Sequence, residues 1–133
     1  MAVIVAAIVA FIIGFLFHGP LFGKLWMRLA NVHPTGNEKF GDMIPQMLWN
    51  LLANLGTAYV LAVIYLYSSS SSYLTGSAIS NALCISFLLW LGFIVTSSSM
   101  EVIWMKRSLK LWLFESFSSL VAILAMGAII ASW

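Results

Sequence analysis

Charge is scarce in this chain: of 133 residues, six are Lys or Arg and four are Asp or Glu, together 8%. An average soluble domain carries roughly one quarter, so a water-soluble globule is excluded. With 62% hydrophobic residues and a mean hydropathy of +1.04, the surrounding medium is lipid. Cysteine is nearly absent too. Cys84 has no second cysteine to pair with, so it reads as a small buried hydrophobe and says nothing about redox compartment. No basic tract is present, which removes nucleic acid as an expected partner. The length fits one domain.

What the sequence does contain is four apolar stretches, 2–22, 43–67, 78–105 and 109–133, each close to the roughly 20 residues that cross a hydrocarbon core. The first lacks a basic leader and a small-x-small cleavage pattern, so it reads as a retained span. Lys24, Arg28 and Lys39 lie between spans one and two, and Lys106, Arg107 and Lys110 between three and four. Residues 68–76 carry no charge. Four passes place both basic connections on one side. The excess of Lys and Arg makes that side the inner one, with both termini outside, in a bacterial inner membrane or an organelle membrane. The serine run 68–72 reads as polar filler in an outer loop. The expected fold is an all-α four-helix transmembrane bundle in a single domain.

The first span is interrupted at "FHGPLFGKLWMR", residues 17–28. Pro20 lacks a backbone donor and clashes with the carbonyl of Leu16, while Gly19 before it is steered from helical angles. Helix one should therefore kink there and run into a short interfacial helix. Leu21, Phe22, Leu25, Trp26 and Leu29 fall on its apolar face and Lys24, Arg28 and Asn31 on its polar face, with Trp26 at headgroup depth. His18 then sits at the inner boundary of the hydrocarbon. A neutral imidazole donating to a freed carbonyl explains it, and an intramembrane ionisable group is also a functional candidate.

Polar residues collect in the inner half: His18, Gln46, Asn50, Asn54, Thr96 to Ser99, Glu101 and Glu115. Gln46, Asn50 and Asn54 recur every four residues and so share one helix face, which must meet protein or water. Neither glutamate has a Lys or Arg four residues away, so cationic partners are expected from other segments, Lys24 and Arg28 first. Two carboxylates and a histidine are ingredients of acid–base chemistry, yet no spacing fixes their geometry and interhelical hydrogen bonding accounts for them. No catalytic residue is assigned. Met43, Met47, Met100 and Met105 near His18 suit a soft metal but read as packing residues. Neither metal nor cofactor is expected.

Small residues form rows that let membrane helices approach closely: Ala2, Ala6, Ala10 and Gly14 in the first helix, Gly127 and Ala131 in the fourth. Gly14-Phe15 precedes Trp26-Met27-Arg28 by the spacing that separates Gly92-Phe93 from Trp104-Met105-Lys106. This echo suggests a parallel repeat of two hairpins, although spans two and four show no counterpart.

At "GFLFHGPLFGKLWMRL", at "LWLGFIVTSSSMEVIWMKRSLKLWLFES" and at the closing "MGAIIASW", the chain resembles a family of small four-span membrane proteins catalogued as domain of unknown function 1761. The likeness runs nearly end to end. Its most specific part is carried by Phe17, His18, Gly19, Pro20, Phe22, Gly23, Lys24 and Trp26. The family usually has Trp-Tyr where this chain has Phe17-His18 and often an amide at Glu101, while Glu115 keeps the family's acid. The resemblance implies four spans and brings no established activity, substrate or cofactor.

The leading expectation for function is a non-catalytic bundle acting by lateral association, as an accessory or assembly subunit of a membrane complex or as a homo-oligomer. Its partners would be lipid and other membrane subunits, or itself. The alternative is an oligomeric channel or small-solute transporter that uses the inner polar cluster as a vestibule. A membrane enzyme using His18, Glu101 and Glu115 ranks third, and ligation of a pigment or haem by His18, Asn50 or Glu101 last.

Overall fold

The computed structural model describes residues 1–33, 40–70 and 75–133, with the side chains of residues 40 and 42 left aside. Lys39 and residues 71 and 72 of the serine run lie outside the described residues. The elements are α1 (Ala2–His18), α2 (Gly23–Ala30), α3 (Phe40–Ser69), α4 (Ala78–Leu89), a π-helical turn (Trp90–Val95) leading into α5 (Thr96–Trp104), and α6 (Leu109–Ser132). Among the described residues there is no strand.

Among the described residues, three helices are long and apolar enough to cross a membrane: Met43–Ser69, Ala78–Trp104 and Leu109–Ser132. A fourth span appears when α1 and α2 are taken together, bent by 70°. The chain is thus an integral, multi-pass membrane protein. The first span breaks after His18 and continues as the short α2, the kink into a short helix that Pro20 calls for. Alone, α1 has 17 residues, or about 25 Å at 1.5 Å per residue, short of a roughly 30 Å hydrocarbon core.

The bend follows from Pro20. The Leu16 carbonyl that its ring blocks accepts instead from the Leu21 amide at 3.0 Å, and the Gly23 amide then donates to the Gly19 carbonyl at 2.9 Å to start α2. The crossing is too tight for a side chain at position 19, where a Cβ would stand 2.7 Å from the Phe15 carbonyl oxygen. Gly19→Ala is expected to lower stability by about 1–3 kcal/mol, the usual cost of overpacking, read as a lower melting temperature in detergent. Gly14→Ala, whose Cβ would meet nothing within 4 Å, is the control that leaves melting unchanged. At its far end α2 is closed by Asn31 in the left-handed region (φ 55), with the Val32 amide donating to the Met27 carbonyl at 2.9 Å. Asn tolerates that conformation better than most residues.

The central helix is α6, flanked by α1 and α4, with α3 leaning on α1. Hydrophobicity alone does not draw helices together in lipid, so close approach and hydrogen bonds must. Ala6, Ala7 and Ala10 of α1, Ala58 and Leu61 of α3, Ile85 of α4, and Ile123 and Met126 of α6 form the shared core. The small-residue rows are therefore used inside the bundle, at Ala6, Ala10 and Gly127. Ala131 is half-buried. Gly14 is the exception: within the chain a Cβ there would meet nothing within 4 Å, and the residue lines cavities.

Two indoles tie the third span to the fourth. Trp90 Nε1 donates to the Ser116 carbonyl at 3.0 Å and to Ser119 Oγ at 3.1 Å, and Trp112 Nε1 donates to Ser98 Oγ at 2.9 Å. Backbone carbonyls next to the π-helical turn take bonds from hydroxyls one turn on: Thr96 to Gly92 at 2.5 Å, Ser97 to Phe93, and Ser98 to Ile94 at 2.6 Å. The Thr96 to Ser99 hydroxyls thus serve their own helix and the Trp112 indole. They line none of the cavities described below. The third span departs from regular α geometry near the depth of the Pro20 break, but it runs on without a comparable bend.

Candidate functional site

At the end of the bundle that holds α2 and the α5–α6 connection, α1, α3 and α6 separate around a polar cavity of about 250 Å³. His18 comes from the last residue of α1, Asn50, Asn54 and Thr57 from one face of α3, and Glu115, Ser118 and Ser119 from α6. Four residues singled out in the sequence, His18, Asn50, Asn54 and Glu115, do converge there. Gln46 lies one turn further out, with His18, Trp26, Met43, Met47 and Asn50 around a wider mouth of about 500 Å³.

His18 is oriented by its own helix. Its Nδ1 lies 2.9 Å from the Gly14 carbonyl, which can only accept, so Nδ1 carries the proton and Nε2 of a neutral ring is left as an acceptor. The carbonyl is not the one released by Pro20, because Leu21 has taken that one. Phe114 and Trp26 meet the imidazole edge-on at ring-centroid distances of 5.9 and 5.6 Å. Trp26 Nε1 is buried with no hydrogen-bond partner among the described residues. The indole packs against the His18 ring. On α3, Asn54 Nδ2 donates to Asn50 Oδ1 at 2.6 Å and to the Asn50 carbonyl at 3.0 Å.

The cation serving the two glutamates is Arg107. It pairs with Glu101 and stands 3.5 Å from Glu115 Oε2. The expected partners, Lys24 and Arg28, are exposed on α2 and form no ion pair among the described residues. The reason is local backbone geometry. After α5 ends, Lys106 turns left-handed (φ 53) and the Arg107 amide folds back to the Glu101 carbonyl at 3.3 Å. That return brings together residues six apart, which no in-helix spacing would pair. The hydrogen bond to Glu101, and then the charge of Glu115, hold the Arg107 guanidinium above its ordinary pKa against a small opposing effect of burial. Glu101 lines none of the cavities. It holds Arg107, and Glu115 faces the cavity.

Three polar residues of the lining were not singled out beforehand: Thr57, Ser118 and Ser119. Thr57 extends the Asn50–Asn54 face by one more turn, and the serines lie one turn beyond Glu115, so helical periodicity was the available signal. Among the described residues no three His, Cys, Asp or Glu side chains group as they would around a metal ion.

A second opening lies between α3 and α4, where those helices diverge. It is an apolar cleft of about 510 Å³, lined by Ala53, Gly56, Val60 and Ile64 on one side and Leu89 and Phe93 on the other. Thr57, Ile94 and Ile123 line both this cleft and the polar cavity.

The family model described as "Protein of unknown function (DUF1761)" matches residues 1–131. No curated protein and no solved structure matches the chain.

Proposed function

The chain belongs to the DUF1761 family of proteins of unknown function, and on that premise we propose that it is a non-catalytic membrane bundle acting by lateral helix association. It serves as an accessory or assembly subunit of a membrane complex, or as a homo-oligomer. In this reading four spans place both termini on the outer side and both basic connections inside, in a bacterial inner membrane or an organelle membrane.

The observation that carries the proposal is Tyr59. Its side chain lies near the midpoint of the Met43–Ser69 span and is 62% exposed. It has no hydrogen-bond partner among the described residues. Residues 47, 51, 54, 58, 61 and 65 turn the opposite face of α3 inward. Trp49, Leu52, Tyr59 and Leu66 are left outward and exposed. A phenol hydroxyl held in hydrocarbon without a partner is costly, and a neighbouring helix supplies one. Tyr65, by contrast, reaches the Ala78 carbonyl at 3.5 Å within the chain.

Detergent extraction followed by native mass measurement tests the proposal. A homo-oligomer or a complex with other membrane subunits is expected. A bare monomer, also found by crosslinking in the intact membrane, overturns it. Tyr59→Phe is expected to leave monomer melting unchanged and to weaken association by about 1 kcal/mol, roughly fivefold, measured by energy transfer between labelled copies in liposomes.

The polar cavity supports a second reading, an oligomeric channel or small-solute transporter with that cavity as its vestibule. Within one protomer its path would have to pass the Ala6, Ala58, Leu61 and Met126 core. Solute flux in liposomes by a pure homo-oligomer would favour it.

A further inference from the structure

We propose that the polar cavity between α1, α3 and α6 binds a small cation that donates N–H bonds, ammonium itself or a short primary alkylammonium. The inference goes beyond lateral association. It requires binding and no flux, so it does not rest on the channel reading either.

The first observation behind it is Ser118. Hydroxyls around the cavity return to a carbonyl of their own helix, Thr57 to Ala53 at 3.0 Å and Ser119 to Ser116 at 2.8 Å. Ser118 is 4% exposed, lines the cavity and has no hydrogen-bond partner among the described residues. A buried hydroxyl left without a partner is unfavourable, and a ligand in the cavity supplies one.

The second is charge. Among the described residues, Glu115 is the Asp, Glu, Lys or Arg that lines the cavity. Arg107 gives its hydrogen bond to Glu101 and stands 3.5 Å from Glu115 Oε2. Neither Arg107 nor Glu101 lines the cavity. One guanidinium therefore serves two carboxylates, and the negative charge left over is on the Glu115 side. A carboxylate at membrane depth calls for compensation, which a cation in the cavity provides.

The third is the balance of donors and acceptors. Asn54 Nδ2 is committed to Asn50, the Thr57 and Ser119 hydroxyl hydrogens to carbonyls, and His18 Nδ1 to the Gly14 carbonyl. Asn50 Nδ2 and the Ser118 hydroxyl are the side-chain donors left. Against them stand the Glu115 carboxylate, Asn54 Oδ1, His18 Nε2 and the hydroxyl lone pairs. Acceptors exceed donors, so the occupant must donate. A hard metal cation takes oxygen ligands and would leave the imidazole nitrogen unused, whereas N–H groups serve both oxygen and nitrogen. The cavity, about 250 Å³, is several times the roughly 30 Å³ share of one water molecule. His18 is exposed at the end that holds α2, while Ala10, Ile123 and Met126 are buried and close the other end. That blind apolar end accepts a short alkyl group and no second charge.

Melting of the full chain in detergent tests this, at neutral pH and constant ionic strength, with ammonium, methylammonium or propylammonium chloride replacing tetramethylammonium chloride. A ligand of the folded state raises melting in a saturable way. Such a rise is expected with at least one of the three; the lowest midpoint with ammonium assigns the free ion, and with an alkylammonium the organic amine. Tetramethylammonium carries the charge without an N–H, and sodium in its place should give no saturable rise. Gly14→Leu fills the cavity from a position where a Cβ would meet nothing within 4 Å, and should abolish the effect. Ser118→Ala, outside the Arg107 cluster, should raise the midpoint about fivefold, and Glu115→Gln about tenfold or more, the values of a neutral and a charge-assisted hydrogen bond. The proposal is overturned by no saturable rise with any of the three, which leaves water alone in the cavity, or by an equal rise with sodium. Persistence of the rise in Gly14→Leu, or an unchanged midpoint in both Ser118→Ala and Glu115→Gln, overturns it too. Tyr59→Phe should leave the midpoint unchanged, so failure of this site and failure of lateral association are read separately.

Discussion

Gly127→Leu is expected to separate α4 from α6 and to cost about 3 kcal/mol or more, the upper range for overpacking a closed interface. Gly127 is buried. A Cβ there would collide with Ser86 Oγ, stand 3.1 Å from the Ala82 carbonyl oxygen and 3.3 Å from Ser86 Cβ. The carbonyl belongs to the backbone of α4 and cannot rotate away. Ser86 itself is fully buried, and its hydroxyl has no hydrogen-bond partner among the described residues. Ser86→Ala should therefore be neutral or mildly stabilising, since an unsatisfied polar group is removed. Added to Gly127→Ala, it should recover part of the loss. Unfolding in mixed micelles of increasing dodecyl sulfate content would measure these variants against wild type. Wild-type stability in Gly127→Leu would mean that α4 and α6 do not meet as described.

Arg107→Gln is expected to cost about 2 kcal/mol, between the value of an exposed ion pair and that of a buried one. The side chains of Arg107, Glu101 and Glu115 are 38%, 42% and 33% exposed, so solvent or headgroups screen them in part. The loss comes from two carboxylates left without their shared cation, so adding Glu101→Gln should restore much of the stability. The pH dependence has a definite sign. A cation whose folded pKa is raised contributes fully below its unfolded pKa and loses that contribution only as pH rises through the folded value. Mildly alkaline buffers should therefore leave the Arg107 contribution intact. A melting series with pH, in wild type and in Arg107→Gln, checks this. Equal melting of the two proteins would mean that the guanidinium does not bridge the glutamates.

The spans were legible in the sequence because lipid imposes a length and an apolar content that few other constraints imitate. The Pro20 break was legible for a similar reason: a missing donor and a ring clash act locally. Convergence of His18, Asn50, Asn54 and Glu115 followed from depth and from the four-residue period. Arg107 was not legible, because its reach to Glu101 depends on a left-handed turn at Lys106 that nothing in the residue spacing announces. The contact of Trp26 with His18 was not legible either, because it depends on α2 folding back by 70°. Small residues also looked alike in sequence. Gly127 closes an interface while Gly14 opens onto cavities, and only the positions of neighbouring helices separate the two. The apolar cleft left no trace, since Ala53, Gly56 and Val60 would suit a lipid-facing surface equally well.

The arrangement rests on both basic connections lying at the same end of the bundle, where the polar cavity is. Single cysteines placed at positions 33, 106, 76 and 132 of a Cys84→Ala chain, in sealed vesicles of known orientation, can be probed with an impermeant maleimide. Positions 33 and 106 should react together from the inner face, and 76 and 132 together from the outer face. Reaction of 33 and 106 from opposite faces would leave His18 and Glu115 at different depths, and no shared cavity could exist.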